Sequence, residues 1–372
     1  MKVAIMGAGL SGLACGIILE QNGIHPTIVE NRRDVDDRFV NGEIFLNALS
    51  APINDSIAYF AENYNIYLQP VGNIKELIIY SENEKASIKG DLGFNVIRGR
   101  RNDSLCHQMK KQLKSKIIYN AEHTYEELLK EYTHIVLATG DGAYSERLGN
   151  YKRDLTVSLK GAIVEGRFDP YTTIAWLDNT FAPMGYSYLI PMSNTEANIV
   201  IAYPDYPQNN QLDINLLFER FFQRVQDNLQ QTLKIVDDFQ ITNYIIGSCD
   251  KPRIGNTFFV GNCFGSIMPF LGFGQHTAIL SGVYAAYDLC GKGTYEELIK
   301  TLDHSYKNSL ALRRSMEKLN NQKFDVLVKS LNGSVGKILL DYNKIDYLKI
   351  IGNLLKPIIS VTGNDQTHNN LP

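Results

Sequence analysis

Met1–Glu30 reads MKVAIMGAGLSGLACGIILEQNGIHPTIVE, and the order of residue types in it decides the fold. Val3–Met6 is a short apolar strand. Gly7, Gly9 and Gly12 follow as G-x-G-x-x-G. Leu13–Gln21 reads as a helix, Asn22-Gly23 ends it, and Pro26–Val29 is a second strand that stops at Glu30. A strand, a glycine turn, a helix and a strand closed by an acid make the dinucleotide-binding fingerprint. Each residue type has a physical task. Gly7 allows the tight turn, Gly9 lets backbone approach a pyrophosphate, and Gly12 lets the helix lie close to the sheet. The helix N-terminus offers free N–H groups to phosphate. Glu30, 18 residues after Gly12, stands where a carboxylate accepts ribose hydroxyls. A glycine-rich turn without a ligand accounts for neither Gly9 nor Glu30. The candidate contacts here are Gly7, Ala8, Gly9, Ser11, Gly12, Glu30 and Asn31.

The rest of the composition narrows the class. The chain has 372 residues, 44% hydrophobic and 21% charged, with a net charge of −3. That is the profile of a globular protein of about two domains, with no charge excess to attract nucleic acid. Five scattered cysteines include no C-x-x-C pair, so neither a zinc ribbon nor a disulfide framework is expected. The first strand begins at Val3, which leaves no room for a signal peptide. No uninterrupted apolar run reaches the ~18 residues of a spanning helix. A cytoplasmic protein is expected, without metal.

Three later stretches bear on which dinucleotide is bound. FNVIRGRRNDSL carries Arg98 and Leu105. HIVLATGDGA is an apolar strand, Ile135–Leu137, that runs into Ala138-Thr139-Gly140. GNCFGSIMPFLGFGQHTAILSG, Gly261–Gly282, puts glycines and a proline before an apolar helix starting near Gln275. Together these resemble the FAD signatures of the superfamily that includes para-hydroxybenzoate hydroxylase, tryptophan halogenases and geranylgeranyl reductases. The resemblance covers roughly Met1 to Asn320. It implies Arg98 near the FAD phosphates or ribose and Thr139-Gly140 beside the adenosine half. It places Gly261-Asn262 at the ribityl and pyrophosphate, and Pro269, Gly272 and Gly274 around the isoalloxazine. The family usually has Asp where this chain has Asn262. Asn keeps an acceptor and adds a donor, but the bond it makes is neutral and weaker than a charge-assisted one.

Residues 151–250 change character. TTIAWLDNTFAPMGYSYLIPMSNTEANIVIAYP reads as three strands with turns at Asp178-Asn179 and Ser193-Asn194. A long amphipathic helix, about Asp213–Gln231, and a strand near Phe239–Ser248 follow. A hairpin at about Ile74–Ile88 has the same character. Antiparallel segments of this kind fit a substrate domain inserted into a dinucleotide domain. GYSYLIP, Gly185–Pro191, resembles the Tyr-x-Trp-x-Phe-Pro motif of geranylgeranyl reductases, with Tyr188 for Trp and Ile190 for Phe. It is also similar to the Gly-Trp-x-Trp-x-Ile-Pro motif of flavin-dependent halogenases. Alternate strand residues share a face, so Tyr186 and Tyr188 stand together, facing either a pocket or the core. Tyr186, Tyr188 and Pro191 are the candidate substrate-pocket residues.

No nucleophile triad or metal cluster stands out. His276 follows the glycine-rich loop, where packing is the commoner use of a lone histidine. Cys263 has an apolar context, where cysteine usually acts as a small hydrophobe. Some geranylgeranyl reductases carry a cysteine in the loop after the second strand; here that loop has none. It holds Arg32, Arg33 and Arg38, expected mainly as solvated surface. Tyr306–Lys356 is basic, with apolar residues at helical spacing. Such a segment either caps the FAD domain or rests on an anionic membrane surface.

These readings give an α/β fold: a discontinuous Rossmann-like FAD-binding domain (1–72, 93–155 and 251–300) and an inserted antiparallel-sheet substrate domain (73–92 and 156–250). A helical C-terminal segment (301–361) and a disordered tail (362–372) follow. The resemblance implies an FAD-dependent oxidoreductase that reduces C=C bonds of a prenyl-type apolar substrate. NAD(P)H would be at most a transient reductant, since there is no second G-x-G-x-x-G. An apolar or lipid substrate, no nucleic acid and peripheral membrane contact are the expected partners. An FAD-dependent monooxygenase and a non-catalytic flavoprotein module are the alternatives.

Overall fold

The computed structural model describes residues 1–50 and 53–332. Its first layer is a six-stranded sheet in the order 253–254, 257–259, 134–137, 3–6, 27–29, 117–118. All its pairings are parallel except that of Arg253–Ile254 with Thr257–Phe259. Val3–Met6 lies at the centre, where Ile5 faces Ile28 on one side and Val136 on the other. Parallel strands buried on both faces read as continuous apolar runs, and VAIM, TIV and HIVL do so.

Leu10–Gln21 is the first helix, and every residue from Leu10 to Leu19 is buried. It is covered all round because it lies between the sheet and the helix Gln275–Leu289, within one apolar core. Two glycines, one on each helix, set the approach. A Cβ on Gly12 would stand 2.0 Å from the Gly7 carbonyl oxygen. A Cβ on Gly282 of the facing helix would stand 2.1 Å from the Ser11 carbonyl oxygen.

The second layer is an eight-stranded sheet in the order 234–248, 152–165, 196–204, 186–191, 172–176, 72–80, 85–98, 41–46. It is antiparallel except between 72–80 and 172–176. The strands 172–176, 186–191 and 196–204 form the meander legible in the sequence. Lys152–Glu165 and Asn41–Leu46 are further strands. One face of the sheet packs on the helix Ile214–Leu229. Asp213 caps that helix by accepting from the Asn215 N–H, and Gln230 closes it at φ 51°. Its Ile214, Leu217, Phe218, Phe221 and Val225 recur at three- and four-residue spacing and are buried.

The helices Lys300–Met316 and Asn321–Leu331 complete the described chain. The stretch ILLDYNKIDYLKIIGNLLKPII and the tail 362–372 lie outside the described residues. No helix among the described residues is long and apolar enough to cross a membrane.

Candidate functional site

The glycine turn is built by contact with the neighbouring strands. Gly7 has φ 113°, and a Cβ on it would stand 2.1 Å from the Ala138 carbonyl oxygen. No L-residue with a side chain fits there. Gly9 is the reverse case: a Cβ on it would meet nothing within 4 Å. Its missing side chain leaves open space at the N-terminus of the helix Leu10–Gln21, which has no side-chain cap. Uncapped N–H groups beside open space suit an anionic group such as phosphate.

Glu30 is 8% exposed. One carboxylate oxygen accepts the Ala8 N–H at 2.8 Å and the other the Arg32 N–H at 3.0 Å. It therefore braces the turn from within, and lone pairs remain on both oxygens. Ala8 is buried and Asn31 is exposed.

The distant segments arrive at the same place. Val260 N–H donates to the Leu137 carbonyl and Ala138 N–H to that of Met6. Gly261, at φ 59°, sits where a Cβ would lie 2.4 Å from Ser11 Oγ. Thr139 Oγ1 meets Cys263 Sγ at 3.1 Å. Asn262 Nδ2 donates to the Gly140 carbonyl and to the Tyr244 hydroxyl, each at 2.7 Å, while its Oδ1 accepts from Ser266 Oγ at 2.6 Å. An ionised aspartate could make neither donation. This gives Asn262 a physical reason that spacing could not supply.

Beside this cradle lies a cavity of about 380 Å³, on the face of the large sheet away from the helix Ile214–Leu229. Its wall is mostly aliphatic and aromatic: Ile44, Leu77, Ile79, Ile88, Leu159 and Phe239 are representative. Tyr186 and Tyr188 both line it, with ring centroids 5.9 Å apart. Burial pushes both hydroxyls above the ordinary tyrosine range. Tyr186 donates its hydroxyl to the Leu271 carbonyl oxygen, and so ties the eight-stranded sheet to the glycine-rich loop. Pro191 is corrected: side chains alternate along the strand, and Ile190, not Pro191, joins the tyrosines at the cavity wall. Of the loop residues Pro269, Gly272 and Gly274, Gly272 lines this cavity, together with Phe270, Leu271, Phe273 and Gln275.

One end of the cavity is polar, and most of that end was missed from sequence. Arg98 lies between two acids, with Nε 3.0 Å from Asp36 and Nη1 3.5 Å from Glu43. Arg38 makes the same two pairings, at 2.8 and 3.5 Å. The Gly99 N–H also donates to Asp36, at 2.8 Å. Burial alone would raise the Asp36 carboxyl, but Arg98 and Arg38 outweigh it and hold it well below the usual carboxylate range. Glu43 further accepts from Asn41 at 2.9 Å and from Gln275, the first residue of the helix behind the glycine-rich loop.

Arg38 thus departs from the surface role expected for the arginine-rich loop. Arg33, by contrast, is exposed and pairs with Asp37 at 2.8 Å. A loop arginine that turns inward leaves no periodic signal.

His276 packs on Phe60, with ring centroids 5.0 Å apart, and its Nδ1 lies 3.1 Å from Ser56 Oγ. Burial lowers its pKa to about 4, so it is neutral near pH 7 and belongs to the packing. Cys263 is buried, and burial raises its thiol.

No family model matches the chain. Among solved structures, it is similar to a geranylgeranyl bacteriochlorophyll reductase-like protein from Thermoplasma acidophilum. The identity is 16% and the TM-score 0.71, over 96% of this chain and 99% of that one. A flavin-dependent halogenase aligns at 14% identity and TM-score 0.67, over 98% of this chain and 77% of the other. A flavin-dependent brominase aligns at 12% identity and TM-score 0.64, over 97% and 99%. The chain therefore has the fold shared by these proteins, matched over almost its whole length.

Proposed function

We propose that this chain is an FAD-dependent oxidoreductase, and that it reduces C=C bonds of a prenyl-type apolar substrate. The carrying observation is one juxtaposition. An open glycine cradle at Gly9 and a largely apolar cavity of about 380 Å³ are joined by one stretch of chain: Gly261 packs on Ser11 in the first turn of the helix Leu10–Gln21, and Phe270–Phe273 and Gln275 line the cavity. The cavity is of a size that takes a small apolar molecule. The fold's occurrence in a reductase-like protein and in flavin-dependent halogenases supports a flavin in this cradle.

In this reading Gly7, Gly9, Gly12 and the first turn of the helix Leu10–Gln21 hold the pyrophosphate. Glu30 turns its remaining lone pairs to the ribose, and Gly261, Asn262 and Gly272 border the redox end. Bound flavin supplies two-electron hydride chemistry. The protein's own residues then do three things. Aliphatic walls and the Tyr186–Tyr188 pair exclude water and hold the substrate. The Tyr186–Leu271 bond fixes the loop against the sheet. The Arg38–Glu43–Gln275 contacts fix the helix behind that loop. A nicotinamide cofactor would visit only transiently, and delivery of a lipid substrate from a membrane surface would suit the cavity.

The test is anaerobic. The dithionite-reduced protein is mixed with a short prenyl alcohol. Reoxidation of the flavin band with a saturated product by mass spectrometry supports the reading. Reoxidation only on admitting oxygen, with a hydroxylated product, supports a monooxygenase instead.

A further inference from the structure

The polar groups lining the cavity can be taken one at a time. Arg38 and Glu43 are its charged residues, and they lie 3.5 Å apart. Their further partners, Arg98 and Asp36, complete a set of two cations and two anions. Thr173 donates to Asn95 at 2.9 Å. Gln275 donates to Glu43. Tyr186 donates to Leu271. Tyr244 donates to the Gly140 carbonyl at 3.2 Å and accepts from Asn262. Asn41 donates to Glu43, and its Oδ1, though without a partner, is buried out of reach.

Tyr188 differs from all of these. Its ring lines the cavity against Tyr186, yet its hydroxyl has no hydrogen-bond partner among the described residues and is not one of the sealed-off atoms. A phenol hydroxyl in an apolar wall is usually paired.

We infer that Tyr188 is a specificity residue, whose hydroxyl donates to an uncharged oxygen, an alcohol or carbonyl, on an otherwise apolar ligand. The charge set explains why the ligand is uncharged. Two arginines matched by two carboxylates leave no cation over for a phosphate or carboxylate, and a desolvated anion without a partner is strongly disfavoured. The inference rests on the reading of this cavity as the substrate site, and it excludes the phosphorylated members of the prenyl class.

The experiment measures binding of decan-1-ol, 1-chlorodecane and decyl phosphate to the purified full-length chain by calorimetry, in wild type and Tyr188→Phe. Wild type is expected to bind decan-1-ol more tightly than decyl phosphate. Tyr188→Phe is expected to weaken decan-1-ol roughly five- to tenfold, the value of one hydrogen bond, and to leave 1-chlorodecane unchanged. Tighter binding of decyl phosphate overturns the proposal. So does a Tyr188→Phe variant that binds decan-1-ol as wild type does, or that weakens the alcohol and the chloride equally. Failure of decan-1-ol to bind wild type overturns it as well. Flavin content is read separately by absorbance. Protein without flavin that keeps the alcohol preference would sink the oxidoreductase reading and leave this one; protein with flavin but no preference would do the opposite.

Discussion

Gly282 and Ser11 touch backbone to side-chain position: a Cβ on Gly282 would stand 2.1 Å from the Ser11 carbonyl oxygen. These residues are 271 positions apart, and their contact sets the start of the helix Leu10–Gln21 against the helix Gln275–Leu289. Gly282→Ala gains about 1 kcal/mol of helix propensity, but it forces one of two buried helices to move. Overpacking usually costs about 1–3 kcal/mol, so we expect a net loss of up to about 2 kcal/mol. Urea denaturation checks this; a stabilised variant would contradict the packing.

Tyr186→Phe keeps the stacked pair but removes the donor to Leu271. One hydrogen bond is worth about 1 kcal/mol. The variant should lose about that much stability and show faster proteolytic nicking between Met268 and Gly274. Unchanged nicking would mean that the loop is held by other contacts.

Asp36 and Asp37 are neighbours with opposite expected sensitivities. Asp36→Ala leaves Arg98, 13% exposed, without its principal partner, which should cost about 3–5 kcal/mol. Asp37→Ala breaks the pair with Arg33, which is 76% exposed, and surface pairs contribute at most about 1 kcal/mol. Denaturation midpoints of the two variants check the contrast.

The pH dependence follows from His276. Its folded pKa of about 4 lies below the ordinary value of ~6.5. Between these values the unfolded chain binds more protons than the folded one, so stability falls as pH drops from about 6.5 to 4. The full loss is about 3 kcal/mol at ~1.4 kcal/mol per pH unit. His276→Asn should flatten that decline. Asp36, also depressed, adds a further loss only below about pH 4.

Residue types that act through local geometry were legible in the sequence. The glycines, the strand Val3–Met6, the helix near Gln275 and the tyrosine pair depend on nearest neighbours and on periods of two or 3.6 residues. What stayed hidden depends on residues far apart. Lys152–Glu165 carries Leu155, Val157 and Leu159 in alternation, a signal that was there but stood beside a supposed domain border. The Asp36–Arg38–Arg98–Glu43–Gln275 cluster joins three separate segments, and nothing in any one of them marks it. Asn262 looked like a weakened Asp until Gly140 and Tyr244 supplied its two acceptors. Pro191 fell to the strand's own alternation, which puts Ile190 on the cavity face.

Flavin retention by Gly9→Val tests the central claim most directly. The site around Gly9 is open and its φ of −82° suits any residue, so the variant should fold with a denaturation midpoint close to wild type. Wild type should bind FAD at one per chain in a titration followed by flavin fluorescence. The valine side chain would occupy the space left for the pyrophosphate, so the folded variant should bind none. A folded Gly9→Val protein that takes up FAD as wild type does, or a wild type that binds no FAD, would contradict the account.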